Sequence, residues 1–216
     1  MLLMCLQSIV GVIIQACMAG IVFAKFMMPI NRGETIMFSK NALITMRNGV
    51  LYLLVRLADL RDNHLIECHI NGHFLSRVVT EEGEEIPHHM VNIDFGSSLE
   101  GYFIEGPSPS DYIQPFWPIV VAHKIDQNSP LYTMAPRDLQ TWQFEVVFTL
   151  EGVTPETGCS VQARTSYLPT EILWGQRFDH TACVAYDSKV SKYAVSYSTI
   201  NSFRQDNTPR WATLET

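Results

Sequence analysis

The chain has 216 residues, with 22 acidic against 15 basic side chains and a formal charge of −7. Without a global basic field, nucleic acid is not expected as a partner. Five cysteines, Cys5 and Cys17 among them inside the first apolar run, leave an odd count that argues against a disulfide framework.

In chain order, Met1 to Ala24 carries no acidic or basic side chain, and Lys25 is the first. A run of this length predicts a membrane-spanning helix over residues 1–28. Ser8 and Gln15 lie seven apart within it, with Gly11 and Gly20 nearby, so one stripe faces something other than lipid. Ser8, Val12, Gln15, Ala19 and Phe23 share that stripe at helical spacing. Lys25, Arg32, Lys40 and Arg47 all follow the helix, so the positive-inside rule puts the rest of the chain in the cytosol. A cleaved signal peptide is the alternative, but no basic segment precedes the apolar run and the run is too long.

Residues 29–41 read as a membrane-proximal linker, residues 42–200 as one β-rich domain and residues 201–216 as a peripheral or disordered tail. Asn48-Gly49 between Ala42–Arg47 and Val50–Ala58 predicts a hairpin, since both turn positions favour φ > 0. Further strands are expected over His64–Val79, Ile86–Phe95, Pro118–Asp126, Phe144–Glu151, Ser160–Tyr167, Ile172–Arg177 and Lys189–Tyr197. Ser129–Trp142 is the one helical expectation, with Ser129-Pro130 as cap and first turn. Prolines at 107, 109, 115 and 118 make Glu105–Pro118 a loop. Many short strands with one helix predict a two-sheet sandwich.

Five segments then carry a resemblance. Gln7-Ser8-Ile9-Val10-Gly11, Glu34 to Ala42 (ETIMFSKNA), Arg56 to His64 (RLADLRDNH), Asp126 to Tyr132 (DQNSPLY) and Glu171 to Gly175 (EILWG) resemble inward-rectifier potassium channels, in matching order and spacing from about Leu3 to about Tyr197. The resemblance implies a fold class of one transmembrane α-helix, the inner one, followed by an all-β immunoglobulin-like (E-set type) cytoplasmic sandwich. It implies a plasma-membrane homo- or hetero-tetramer with other inward-rectifier subunits, potassium as the permeant ion and no enzymatic activity. The family's filter, whose carbonyls replace potassium's hydration shell, would lie upstream of Met1. The chain is therefore expected to be a fragment, a shortened gene product or a subunit that does not conduct alone.

The resemblance also assigns roles. Ser8, Gln15, Ala19 and Phe23 would line the pore, with Phe23 at the apolar inner gate and Gln15 where strong rectifiers carry a carboxylate; lipid or helix packing is the alternative for Phe23. Glu67 and Glu145 fall at two acidic positions of the cytoplasmic pore, where the alternative for Glu67 is an ordinary solvated strand residue. A third acid expected near Gly96-Ser97-Ser98 is replaced by Ser98, and the longer loop that follows offers Glu100 or Glu105. Gly158 and Cys159 match the narrow constriction loop. Phosphatidylinositol bisphosphate is the implied regulatory lipid, with Lys25, Arg32, Arg61 and Arg164 as its basic contacts and surface ion pairs as the alternative for the last two. Met28, Ile30 and Asn31 stand where basic residues are expected, which weakens attraction to anionic lipid by up to roughly two orders of magnitude.

Two rivals remain. One is a non-conducting, membrane-tethered interaction subunit that co-assembles with full-length channels. The other is a single-pass receptor with an immunoglobulin-like ectodomain, in the opposite orientation. His64, His69, His73 and Cys68 lie close in sequence, but strand alternation separates them onto two faces and no metal site is expected.

Overall fold

The computed structural model describes residues 1–26, 32–99, 102–103, 112–188, 191–206 and 208. Contacts divide the chain into residues 1–31 and residues 32–216. The first unit is helix α1 (Leu2–Phe26), long and apolar enough to cross a membrane. Its 25 residues extend about 37 Å, which exceeds the roughly 30 Å of a hydrocarbon core. None of its side chains is buried within the chain.

The second unit is an all-β sandwich. After a 3-10 turn at Arg32–Thr35 come β1 (Ile36–Phe38), β2 (Ala42–Arg47), β3 (Val50–Asp59), β4 (Ile66–Val79), β5 (Glu85–Ile93), β6 (Gly96–Leu99), β7 (Tyr102–Phe103) and β8 (Ile119–Ile125). There follow β9 (Phe144–Val153), β10 (Ser160–Tyr167), β11 (Ile172–Trp174), β12 (Gln176–Phe178), a short helix α2 (His180–Cys183), β13 (Val184–Asp187), β14 (Lys192–Val195) and β15 (Phe203–Gln205). One sheet has seven strands in the order β11-β2-β3-β8-β6-β7, with β1 also on β3. The facing sheet has four, in the order β10-β9-β4-β5. The predicted hairpin is present, with Asn48 at φ 50° and Gly49 at φ 81° between β2 and β3.

Alternation along β3 divides the interior. Leu51, Leu53, Val55 and Leu57 point into the main core, where they join Phe74 of β4, Phe144, Val146, Phe148 and Leu150 of β9, and Tyr167 of β10. Tyr52 and Leu54 point to the other face of the large sheet and pack with Leu43, Val120 and Phe178. All of β3 beyond Val50 is therefore buried, the condition of a strand covered on both faces. Arg56 lies on the second face. Its guanidinium stacks 4.5 Å from the Phe178 ring centroid and donates to Asp179 O at 2.8 Å, Ile200 O at 3.4 Å and Cys183 Sγ at 3.2 Å.

Two expectations are corrected, and a third, the strand near the C-terminus, is present as β14. Ser129–Trp142 is not an α-helix but a chain of turns ending in a 3-10 helix at Asp138–Gln140. Its bonds run to the third preceding residue, as in Tyr132 N to Ser129 O, while Asp138 accepts from Ala135 N through its side chain. Pro136 lacks the N–H that a continuous helix needs at that point, whereas Pro130 in the first turn would be tolerated. Ile172–Arg177 is two strands, because Gly175 at φ 74° breaks the run; β11 pairs with β2 and β12 with β15. The strand expected over Lys189–Tyr197 is the second half of a hairpin whose first half is β13. β15, which falls in the stretch read as a tail, is part of the fold.

His123 on β8 is buried, with Nδ1 2.8 Å from Asp94 O and Nε2 2.7 Å from Ser129 Oγ. The carbonyl can only accept, so Nδ1 carries the proton and Nε2 receives the hydroxyl. Burial holds the His123 pKa below its ordinary value. The unfolded chain then binds more protons than the folded one below about pH 6.5, so stability falls as pH drops from there toward the depressed folded value. Unfolding midpoints of the full chain in detergent at pH 7.5 and 5.5 should show that loss, and His123→Gln should flatten it.

Candidate functional site

The inner face of the four-stranded sheet is spent on the core, and its outer face is free. Along β9, Phe144, Val146, Phe148 and Leu150 are buried, while Glu145, Val147, Thr149 and Glu151 alternate onto the outer side. Register extends this face across the sheet. Glu145 stands opposite Leu75, Val147 opposite His73, Thr149 opposite Asn71 and Glu151 opposite His69. On the other flank Gln162 and Arg164 of β10 stand opposite Glu151 and Thr149. Gln162 Nε2 donates to Glu151 Oε1 at 2.8 Å.

Glu67 lies on this face by the alternation that places His69 and Asn71 there, and the strand is irregular just beside it. Ile66 pairs with Val153 and His69 with Glu151, so β4 spends one residue more than β9 over the interval, which is a bulge. Glu67 sits in it at φ 51° and is exposed, while Cys68 turns into the core. Burial pushes the Cys68 thiol up to about 11, so it stays neutral. Glu67 then borders an open cavity of about 380 Å³ together with His69, Glu151, Gln162 and Tyr112. The Tyr112 ring lies 4.5 Å from that of His69, and Ile113 N donates to Cys68 O at 2.8 Å on the edge of β4 that β5 leaves open.

Gly158 and Cys159 lie in the β9–β10 turn, at the Glu67 end of the sheet. The turn closes through Thr154 N to Cys159 O at 2.9 Å and Gly158 N to Thr154 O at 2.8 Å, with Gly158 at φ 67°. Glu145 is at the opposite end. Eight residues of β4 separate Leu75, its partner, from Glu67, about 25 Å along the strand. The two glutamates thus share a face without sharing a site. Glu151, which sequence reasoning passed over, borders the same cavity as Glu67; the period of two counted from Glu145 would have found it.

The basic residues are partly gathered. Buried Asp59 accepts from Leu65 N at 3.1 Å and Arg61 N at 3.2 Å, and Leu60 N donates to Thr35 O at 3.0 Å. A Cβ on Gly33 would lie 2.8 Å from Gln162 O, so this close approach requires glycine. The turn carrying Arg32 therefore touches both the loop of Arg61 and the strand of Arg164. Arg164 itself is exposed on the outer face. Lys25 ends α1, in the other unit. On α1, Ser8, Gln15, Ala19 and Phe23 fall within an arc of about 80° at 100° per residue. Gln15, Ala19 and Phe23 border one shallow groove along it. Met28, Ile30, Asn31, Glu100 and Glu105 lie outside the described residues.

A family model of the inward rectifier potassium channel C-terminal domain matches residues 36–216. The chain belongs to the inward rectifier potassium channel family. It is 38% identical over 213 residues to inward rectifier potassium channel irk-1 of Caenorhabditis elegans, an alignment covering 99% of this chain and 37% of that one. It is 39% identical over 207 residues to ATP-sensitive inward rectifier potassium channel 12 of Gallus gallus, covering 94% and 45%. Inward rectifier potassium channel 18 of Homo sapiens is likewise 39% identical over 207 residues, covering 94% and 44%. The chain thus spans less than half the length of these inward rectifiers. Inward rectifiers are membrane-embedded ion channels, not enzymes.

The Glu67 bulge is testable by stability. A non-glycine residue in the left-handed region is strained by about 1–2 kcal/mol. Glu67→Gly should therefore leave the unfolding midpoint unchanged or raise it, whereas β-branched Glu67→Val should lower it.

Proposed function

We propose that this chain supplies the inner gate helix and the cytoplasmic pore of a tetrameric inward-rectifier potassium channel in the plasma membrane, with the β domain in the cytosol. The observation that carries the reading is the outer face of the four-stranded sheet, with Glu145 and Glu151 on it along β9 and Glu67 on it along β4, beside a bulge. Four such faces around an axis form a long acidic vestibule, which concentrates potassium and intracellular cationic blockers by field focusing. Gly158 and Cys159 form its narrow cytoplasmic constriction, with residues small enough for four backbones to approach.

In the helix, Ser8, Gln15, Ala19 and Phe23 line the transmembrane pore, and a ring of Phe23 closes it by dewetting. Gln15 carries no charge, so block of outward current is weak or moderate. Phosphatidylinositol bisphosphate biases the gate; Lys25 of the helix unit and Arg32 of the β domain are basic contacts for its headgroup, and Arg61 and Arg164 act in the same control directly or through subunit contacts. With Met28, Ile30 and Asn31 in the linker the grip is weak, since each basic group near an anionic surface contributes about 1 kcal/mol.

The experiment joins residues 1–216 in frame to the upstream part of the Caenorhabditis elegans relative and records excised-patch currents. Glu67→Gln with Glu145→Gln should weaken spermine block by about tenfold or more, because charge is removed from every subunit of a poorly screened vestibule. Gln15→Asp should steepen it. Ile30→Lys with Asn31→Lys should slow rundown. Unchanged block in the Glu67→Gln, Glu145→Gln variant removes the outer face from the pore. A chimera that carries no current, while this chain suppresses the current of a co-expressed full-length channel, selects the non-conducting interaction subunit instead.

A further inference from the structure

The far end of β2 holds a charge arrangement that the ion path does not use. Arg47, the last residue of β2, is only 9% exposed. Arg177 of β12 lies close by, its Nη2 2.9 Å from Asp206 Oδ2 and donating to Met46 O at 3.3 Å. Thr45 Oγ1 donates to the same Asp206 oxygen at 2.8 Å. Among the described residues, Arg177 opposes the charge of Arg47, while Asp206 and Tyr52 offset part of it, and burial adds to the cost of that charge. Two guanidinium groups thus lean on one carboxylate.

The unmet donors have a specific pattern. Arg47 Nε, Arg47 Nη2 and Arg177 Nε are buried nitrogens with no hydrogen-bond acceptor among the described residues. Nε and Nη2 form one edge of the planar guanidinium, and their parallel N–H bonds match two oxygens of a carboxylate or phosphate. A buried cation whose two-donor edge is unpaired is strongly unfavourable by itself, and an oxyanion on that edge removes both the charge imbalance and the missing hydrogen bonds. A neutral ligand would supply the bonds but leave the charge. We propose that Arg47 and Arg177 form a binding site for one oxyanion group, a carboxylate or a phosphate, with Arg47 as its bidentate donor and Arg177 as the flanking cation. The group comes either from a free anion or from a carboxylate of a second copy of this chain.

The full chain is purified in detergent and its unfolding midpoint followed while orthophosphate, and separately acetate, replaces chloride at constant ionic strength. A free oxyanion should raise the midpoint saturably, by about 3–6 °C at about ten times its dissociation constant. The rise should be absent in Arg47→Gln and present in Lys124→Gln, an exposed control on β8. A carboxylate from a second copy gives a different result. The added anions leave the midpoint unchanged, and light scattering shows that Arg47→Gln lowers the assembled fraction several-fold while Lys124→Gln does not. Should Arg47→Gln fail to fold, Arg177→Gln is read in both assays. Anion-independent midpoints together with wild-type assembly in these variants overturn the proposal.

Discussion

The two-residue period of β9 is the constraint on which both the stability and the surface chemistry of this domain rest. Its even-numbered residues, Phe144 to Leu150, fill the gap between the sheets against Val55, Phe74 and Tyr167. Its odd-numbered residues, Glu145 to Glu151, face outward. A slip of one residue would bury two carboxylates and expose two phenylalanines, a penalty far beyond the whole stability of an ordinary domain. The packing that holds the fold in register therefore also fixes which side of the sheet is acidic.

The bulge in β4 modifies that period at one place. Ile66 and Glu67 are both exposed there, whereas regular alternation from His69 would turn Ile66 inward; Cys68 keeps its inward place, its sulfur packed at Gly152. A left-handed residue in the bulge is the local cost, and the hydrogen bonds of β4 to β9 on either side over-determine it. The segment at Tyr112 and Ile113 then covers the free edge of β4, which would otherwise offer unpaired backbone groups to another chain.

On the opposite side of the molecule, the large sheet is covered by the chain from β12 to β15. Arg56 does most of the attachment there, since one guanidinium bonds to three separated points of that segment and stacks on Phe178. Burial lowers its pKa, and the nearby Cys183 and Asp179 offset part of the effect. A cation in this position ties the C-terminal strands to β3 and so brings Asp206 beside Arg177 and Thr45. Within the stretch that reads as a tail, residues 203–206 are structured because their partners come from β2 and β12, far away in sequence.

Much of this was legible in the residues themselves. The charge-free run of Met1 to Ala24 and the Asn48-Gly49 turn are local signals with direct physical causes, and they gave α1 and the β2–β3 hairpin. The boundaries of β10 follow from its own alternation, and several separate motifs gave the family. The family resemblance singled out Glu67 and Glu145, but not that about 25 Å of strand divides them. What the sequence could not decide was set by contacts between distant segments. A helical pattern at Ser129–Trp142 yields to Pro136 and to the bonds that His123 and Asp138 make with its turns. The bulge at Glu67, the pairing of β12 with β15 and the unpaired edge of Arg47 depend on which strands become neighbours. Local patterns fix faces and turns, because side-chain direction and backbone preference are properties of a few adjacent residues. Sites are assembled across strands, and only the tertiary structure decides which residues meet there.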